Sequence, residues 1–243
     1  GLAAERARWF RLCSEAESVM GSRLTQEQVD DLRGESRWPP AIVLCVAIAV
    51  PLLLPDRFSL ASKWIEPALL ALLLVAHIVA DPGRIDRQSR ATRAIGVGLL
   101  VVLVVAATSQ AIVLTVELVN GNRALNNPHE LLSSGALVWV ETIIAFTFAY
   151  WEIDAGGPAA RAHRTAKYPH LAFPEHMNPA LAPPGWRPLF LDYLYLGLTN
   201  ATAFSPTDVM PLRHWAKLTM GVQSLISLII LGLVVARAVN ILT

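Results

Sequence analysis

The segment 189–242 limits this chain more than any other stretch does. Its first part mixes rings and leucines with Asp192, Thr199 and Asn200, and is too polar to span a membrane. Its second part, about 212–242, is one long apolar run that reads as a spanning helix. Between them stands Ser205-Pro206-Thr207-Asp208, where Pro206 disfavours helix at Ser205. A short helix, a turn and a spanning helix form a re-entrant layout. Irregular backbone at membrane depth is tolerated only where protein buries it or water lines it. The layout therefore predicts a pore or an internal site rather than a simple anchor.

Composition places the whole chain in the same class. Of 243 residues, 54% are hydrophobic and 16% charged, with a mean hydropathy of +0.46. A soluble domain carries about 25% charged residues, so the deficit implies a polytopic membrane protein whose first partner is the lipid bilayer. The net charge of +1 supplies no basic field for nucleic acid. Cys13 lies in a polar stretch and Cys45 in an apolar one, which predicts no disulfide between them. The first apolar run begins near Ala41, after a charged stretch, so no signal peptide is expected.

The order of segments follows. Residues 1–38 read as N-terminal soluble or membrane-surface helices. There Thr25 and Gln28 form a capping box, Gly34 ends the helix, and Pro39 and Pro40 stop the chain before the membrane. Residues 39–133 read as a three-helix membrane region, with spans at about 41–54, 65–80 and 94–119. Residues 134–243 read as a pore-like module: an outer helix to 151, a Pro-rich loop 152–188, a pore helix 189–203, a turn 203–209 and an inner helix 211–242. The loop holds seven prolines and two adjacent glycines, which excludes a long helix and predicts an extended cover over the surface. The expected fold class is an all-α polytopic membrane protein with five transmembrane helices and a re-entrant pore helix before the last one.

The last module resembles the pore-loop cation channels, the superfamily of potassium channels. Aligned without gaps, Thr202-Ala203-Phe204-Ser205-Pro206-Thr207-Asp208 stands against Thr-Thr-Val-Gly-Tyr-Gly-Asp. Thr202 and Asp208 match, while Ser205, Pro206 and Thr207 replace Gly, Tyr and Gly. Filter glycines supply backbone conformations that Ser, Pro and Thr adopt poorly, so a potassium filter is not expected. The closer resemblance is to a family of uncharacterised bacterial membrane proteins. It rests on Tyr150-Trp151-Glu152, on Asp192-Tyr193-Leu194-Tyr195 and on the run Thr199-Asn200-Ala201-Thr202 through Asp208, and it covers about 80–243. These resemblances imply a homotetramer in the bacterial inner membrane, with ions in a pore lined by Gln223, Ser224 and Ser227. Small polar residues also serve ordinary helix packing in membranes, which is the other reading of those three.

Charged groups inside spans are functional candidates by default. Glu141 lies deepest, placed to bind a proton or cation, or to pair with Arg237 or Gln223; the plainer reading is a structural hydrogen bond to the pore helix. Glu117 is near enough to an end to snorkel, and His77 is expected to bond a neighbouring helix. His163, His170, Glu175 and His176 match no zinc-ligand spacing. No phosphate loop, nucleophile elbow or paired-carboxylate motif appears, so neither an enzyme nor a cofactor is expected. Sixteen of the twenty Lys and Arg fall on the side of the N-terminus. The positive-inside rule then puts that end inside, whereas the channel resemblance requires the reverse. The function expected is a channel-like protein passing ions or small solutes. The alternative is a non-conducting scaffold or sensor that reuses the pore fold.

Overall fold

The computed structural model describes residues 34–58, 62–80, 84–85, 89–121, 127–163, 168–183, 185–202 and 208–242. The N-terminal helices expected before residue 34 and the turn 203–207 lie outside them. The described part is mainly helical. Three helices are long and apolar enough to cross a membrane. Two of them, which we label α3 (Arg90–Val119) and α4 (Pro128–Ile153), are consecutive. The third is the last helix, α8 (His214–Leu242). Two shorter apolar helices, α1 (Trp38–Leu53) and α2 (Ile65–Ala80), have 16 residues each. At 1.5 Å per residue these reach about 24 Å, less than the ~30 Å of a hydrocarbon core.

Helix starts follow local chemistry. Pro39 and Pro40 begin α1 instead of stopping the chain before it, because a first turn has no use for their missing N–H groups. Ser89 caps α3: its Oγ accepts from the Thr92 backbone N–H at 3.0 Å, and Thr92 Oγ1 accepts from the Ser89 N–H at 3.2 Å. Pro128 opens α4 behind an Asn127 cap, six residues before the expected start at Ser134.

α4 is the hub. It packs against α1, α3, α8 and the short helix α7 (Phe190–Thr202). Every residue from Glu141 to Glu152 is buried, so this half of the helix has no outer face. α8 is the opposite case. Leu218, Val222, Leu225 and Leu228 on it are exposed, as suits a face turned to lipid or to another subunit. Gly135 sets the α4–α8 approach: a Cβ there would lie 2.7 Å from Val234 Cγ2.

The Pro-rich stretch is not an extended cover. After α4 the chain reverses through Ala155, Gly156 and Gly157, with φ of 51°, 89° and 98°. It then forms α5 (Pro158–Ala162), β3 (Leu171–Ala172) and α6 (Pro174–Met177). Leu171, Phe173 and Ala162 are buried, which is why the segment folds inward. β3 pairs antiparallel with β4 (Met210–Pro211), so the inner helix begins at His214 rather than at 211. A second small ladder joins β1 (Glu35–Ser36) to β2 (Arg84–Ile85).

Candidate functional site

The candidate site is the seat of α7 and the polar groups around it. α7 has 13 residues, about 20 Å, and buries Phe190, Tyr193, Leu196, Gly197, Asn200 and Ala201 on one stripe. Leu191, Tyr195 and Leu198 face outward. The close approach to α4 requires Gly197, where any Cβ would strike Thr147 Oγ1 and come within 3.3 Å of the Ile143 carbonyl.

Toward its C-terminal end α7 is fastened by a buried network. Tyr150 OH on α4 donates to Gln223 Oε1 on α8 at 2.7 Å. Asn200 Nδ2 donates to the same oxygen at 2.8 Å and to the Met220 carbonyl at 2.9 Å. Gln223 Nε2 returns a bond to the Gly197 carbonyl at 2.7 Å. Three helices thus meet with both ends of the Gln223 amide satisfied, at 0% exposure.

Toward its N-terminal end a second network holds α7 under the Pro-rich segment. Tyr193 OH donates to Asp154 Oδ2 at 2.7 Å, and the Arg161 guanidinium lies 4.7 Å over the Tyr193 ring. Asp154 Oδ1 accepts from the backbone N–H groups of His170 and Leu171 at 2.9 and 3.2 Å. Arg161 Nη1 donates to the carbonyls of Trp151 and Asp154 at 2.7 and 2.8 Å. The Glu35 carboxylate accepts from Trp151 Nε1 at 3.0 Å and from the Phe190 N–H. Burial pushes the Glu35 carboxyl up from its ordinary value, against the opposing pull of those hydrogen bonds.

The expected site residues separate into distinct places. Asn200 joins the network, while Thr199 and Thr202 bond back to their own helix, to Tyr195 and Leu196 and to Thr199 respectively. Ala203, Phe204, Ser205, Pro206 and Thr207 lie outside the described residues, and Asp208 is exposed. Gln223 and Ser227 are 0% exposed and turn into the subunit, so the lining assignment is corrected for both: a side chain enclosed by its own chain has no face on an axis. Ser224 is half-buried and reaches Asn200 Oδ1 at 3.2 Å. Glu141 is 0% exposed, and neither Arg237 nor Gln223 bonds it; both its oxygens lack a hydrogen-bond partner.

Other polar side chains settle into structural duties. Glu117 is paired with Arg57 at 3.0 Å, and Arg57 also reaches Glu130 at 2.5 Å. Arg93 holds Glu152 at 2.9 Å beside the start of α5, and both line a cleft of about 570 Å³ that His77 also borders. The loop histidines are not gathered. His170 packs edge-on to Trp215, and His176 packs against Phe173 and Trp186. Among the described residues no cluster of three His, Cys, Asp or Glu is placed to hold a metal.

Sequence reasoning did not single out Glu35, Asp154, Arg161, Glu66 or Gln110. Asp154 carried one legible signal, a carboxylate two residues before the double glycine that turns the chain back. Gln110 carried another, an amide inside an otherwise apolar run. The chain matches no family model, no curated protein and no solved structure.

Proposed function

We propose that this chain is a multi-pass protein of the bacterial inner membrane with five crossings and a re-entrant α7, which passes ions or small solutes through a homotetrameric, non-potassium pore. The observation that supports it is the buried fastening of α7. A 13-residue helix, too short to cross, is held by Tyr150, Asn200 and Gln223 between two helices long enough to do so. The order is outer helix, short helix, turn and long helix. In this reading residues 203–207 follow Thr202 at the pore, and Asp208, which is exposed, attracts cations at the mouth.

One observation favours a second reading, a non-conducting scaffold or sensor. Gln223 and Ser227 turn inward, and the outer face of α8 carries Leu218, Val222 and Leu225. An axis lined by that face is dry. Flux of monovalent cations from proteoliposomes decides between them. The transport reading expects flux that falls several-fold in Asp208→Asn, with crosslinking in lipid giving a four-subunit species. No flux from protein that is folded and tetrameric leaves the scaffold reading; a monomer defeats both.

A further inference from the structure

Outside the seat of α7, Glu141, Gln110 and Glu66 carry buried oxygens that no function yet absorbs. Glu141 stands at the middle of α4, about 20 Å along the helix from Pro128. Gln110, 3% exposed, comes from α3, and Glu66 from the first turn of α2. Gln110 Nε2 donates to Glu66 Oε2 at 3.2 Å. Four oxygens are left without a partner: Oε1 of Glu66, Oε1 of Gln110 and both of Glu141. All four are acceptors, so what the cluster lacks is a donor or a positive charge.

The surrounding charges do not supply one. Glu66 is the charged group that acts on Glu141, and it repels. On the turn before α2, Lys63 is paired with Asp56 at 3.0 Å. Arg57 is engaged by Glu117 of α3 and Glu130 of α4. Arg93 of α3 is engaged by Glu152, the other carboxylate of α4 near its C-terminal end. Arg90 and His77 lie at the far ends of α3 and α2. Asp192 of α7 accepts from the Leu189 N–H, Arg237 of α8 sits beside Gly121, and α1 brings only Cys45, which is exposed.

A buried carboxylate without a partner is among the most costly groups a fold can hold, and it relieves the cost by taking up a cation or a proton. Two carboxyls and one amide oxygen fall short of the six or more oxygens a calcium ion gathers. We propose that Glu141, Glu66 and Gln110 form an intramembrane proton-binding site, loaded from one side of the membrane. The proton binds a carboxyl oxygen of Glu141. It cancels one of two like charges and turns an orphaned acceptor into an O–H donor for the remaining oxygens. A cavity of about 260 Å³ between α2 and α3 reaches the cluster at Glu66, the end from which a proton would enter. Ser62, Lys63 and Ser109 line it together with Glu66, among apolar residues of α2 and α3. Gln110 holds Glu66 and keeps its own Oε1 free to accept. This site is independent of the pore reading, since it stands whether or not the turn 203–209 conducts.

Infrared spectroscopy of the full chain in lipid tests it. The wild type is expected to show the C=O band of a neutral carboxylic acid, shifted in heavy water and lost as the pH is raised. Glu141→Gln should remove that band, and Glu117→Gln should keep it. Glu66→Gln should move the pH at which it is lost. Absence of the band in the wild type, its survival in Glu141→Gln, or an unmoved titration in Glu66→Gln overturns the proposal. So does a titration that shifts when sodium replaces choline, because the ligand is then a metal cation. If Glu141→Gln does not fold, Glu141→Asp carries the assignment: it retains the carboxyl, and the band must change frequency.

Discussion

Replacing Gln223 by Met keeps the side-chain length and removes the amide that joins three helices. Three bonds are lost: from Tyr150 OH at 2.7 Å, from Asn200 Nδ2 at 2.8 Å and to the Gly197 carbonyl at 2.7 Å. Asn200 retains the Met220 carbonyl at 2.9 Å, so its amide is not orphaned. The Tyr150 hydroxyl is, because its remaining contact with Asn200 is a 3.4 Å bond in which it accepts. Side-chain bonds between membrane helices average about 0.6 kcal/mol and reach about 1.7 kcal/mol. Three of them at full burial put the cost of Gln223→Met at roughly 2–4 kcal/mol. Tyr150→Phe removes one of the three and should cost about 1 kcal/mol by the same scale. Because the two substitutions share that bond, the double variant should fall short of the sum by about 1 kcal/mol. The assay is equilibrium unfolding in mixed micelles with rising dodecyl sulfate, followed by helical circular dichroism and assembled as a double-mutant cycle. Additivity within about 0.3 kcal/mol, or a Gln223→Met cost below about 0.5 kcal/mol, would refute the network as the fastening of α7.

Two further outcomes follow from other contacts. Gly197→Ala should destabilise by about 1–3 kcal/mol, since its Cβ meets Thr147 and a backbone carbonyl that cannot yield. Gly221→Ala, with nothing within 4 Å, should be neutral or stabilise by up to about 1 kcal/mol; equal effects in thermal unfolding would show that the α4–α7 approach is not tight. In the Pro-rich segment, burial holds the His176 imidazole below its ordinary 6.5, and its neutral Nδ1 accepts from the Phe173 N–H at 3.2 Å. A depressed folded value means this contribution is complete above pH 6.5 and is lost as the pH falls through it toward the lower folded value. Acidification should therefore change the fluorescence of Trp186, whose ring centroid is 5.1 Å from that of His176, and the change should vanish in His176→Phe. A signal that persists in the variant assigns the transition to another group.

Several residues singled out in the sequence find partners around α7 and the end of α4. Tyr150 meets Gln223 and Asn200, Trp151 meets Glu35, Glu152 meets Arg93, and Tyr193 meets Asp154. The residues themselves could be picked out of the chain; their partners could not, because they lie as much as 116 residues away in sequence, as Glu35 does from Trp151. Gln223 and Ser227 were left open between lining and packing for a related reason. Polar residues on an apolar helix announce that they need partners, but not whether the partner is water on an axis or an amide within the same chain.

Taken alone, the sequence determined that the chain is helical and apolar enough for a membrane, where its three longest apolar helices lie to within six residues at each end, and that a short helix precedes the last of them. Apolar runs and turn residues act locally, through the cost of exposing backbone and apolar surface, so a linear reading recovers them. Only the tertiary structure decided that α4 is the buried hub, that the Pro-rich segment packs inward around Asp154 and Arg161, and that Gln110 reaches Glu66 while both oxygens of the buried Glu141 are left without a partner. Those facts depend on which face each helix presents to which neighbour. In a chain where nearly every face is apolar, periodicity does not distinguish a face toward lipid from a face toward protein.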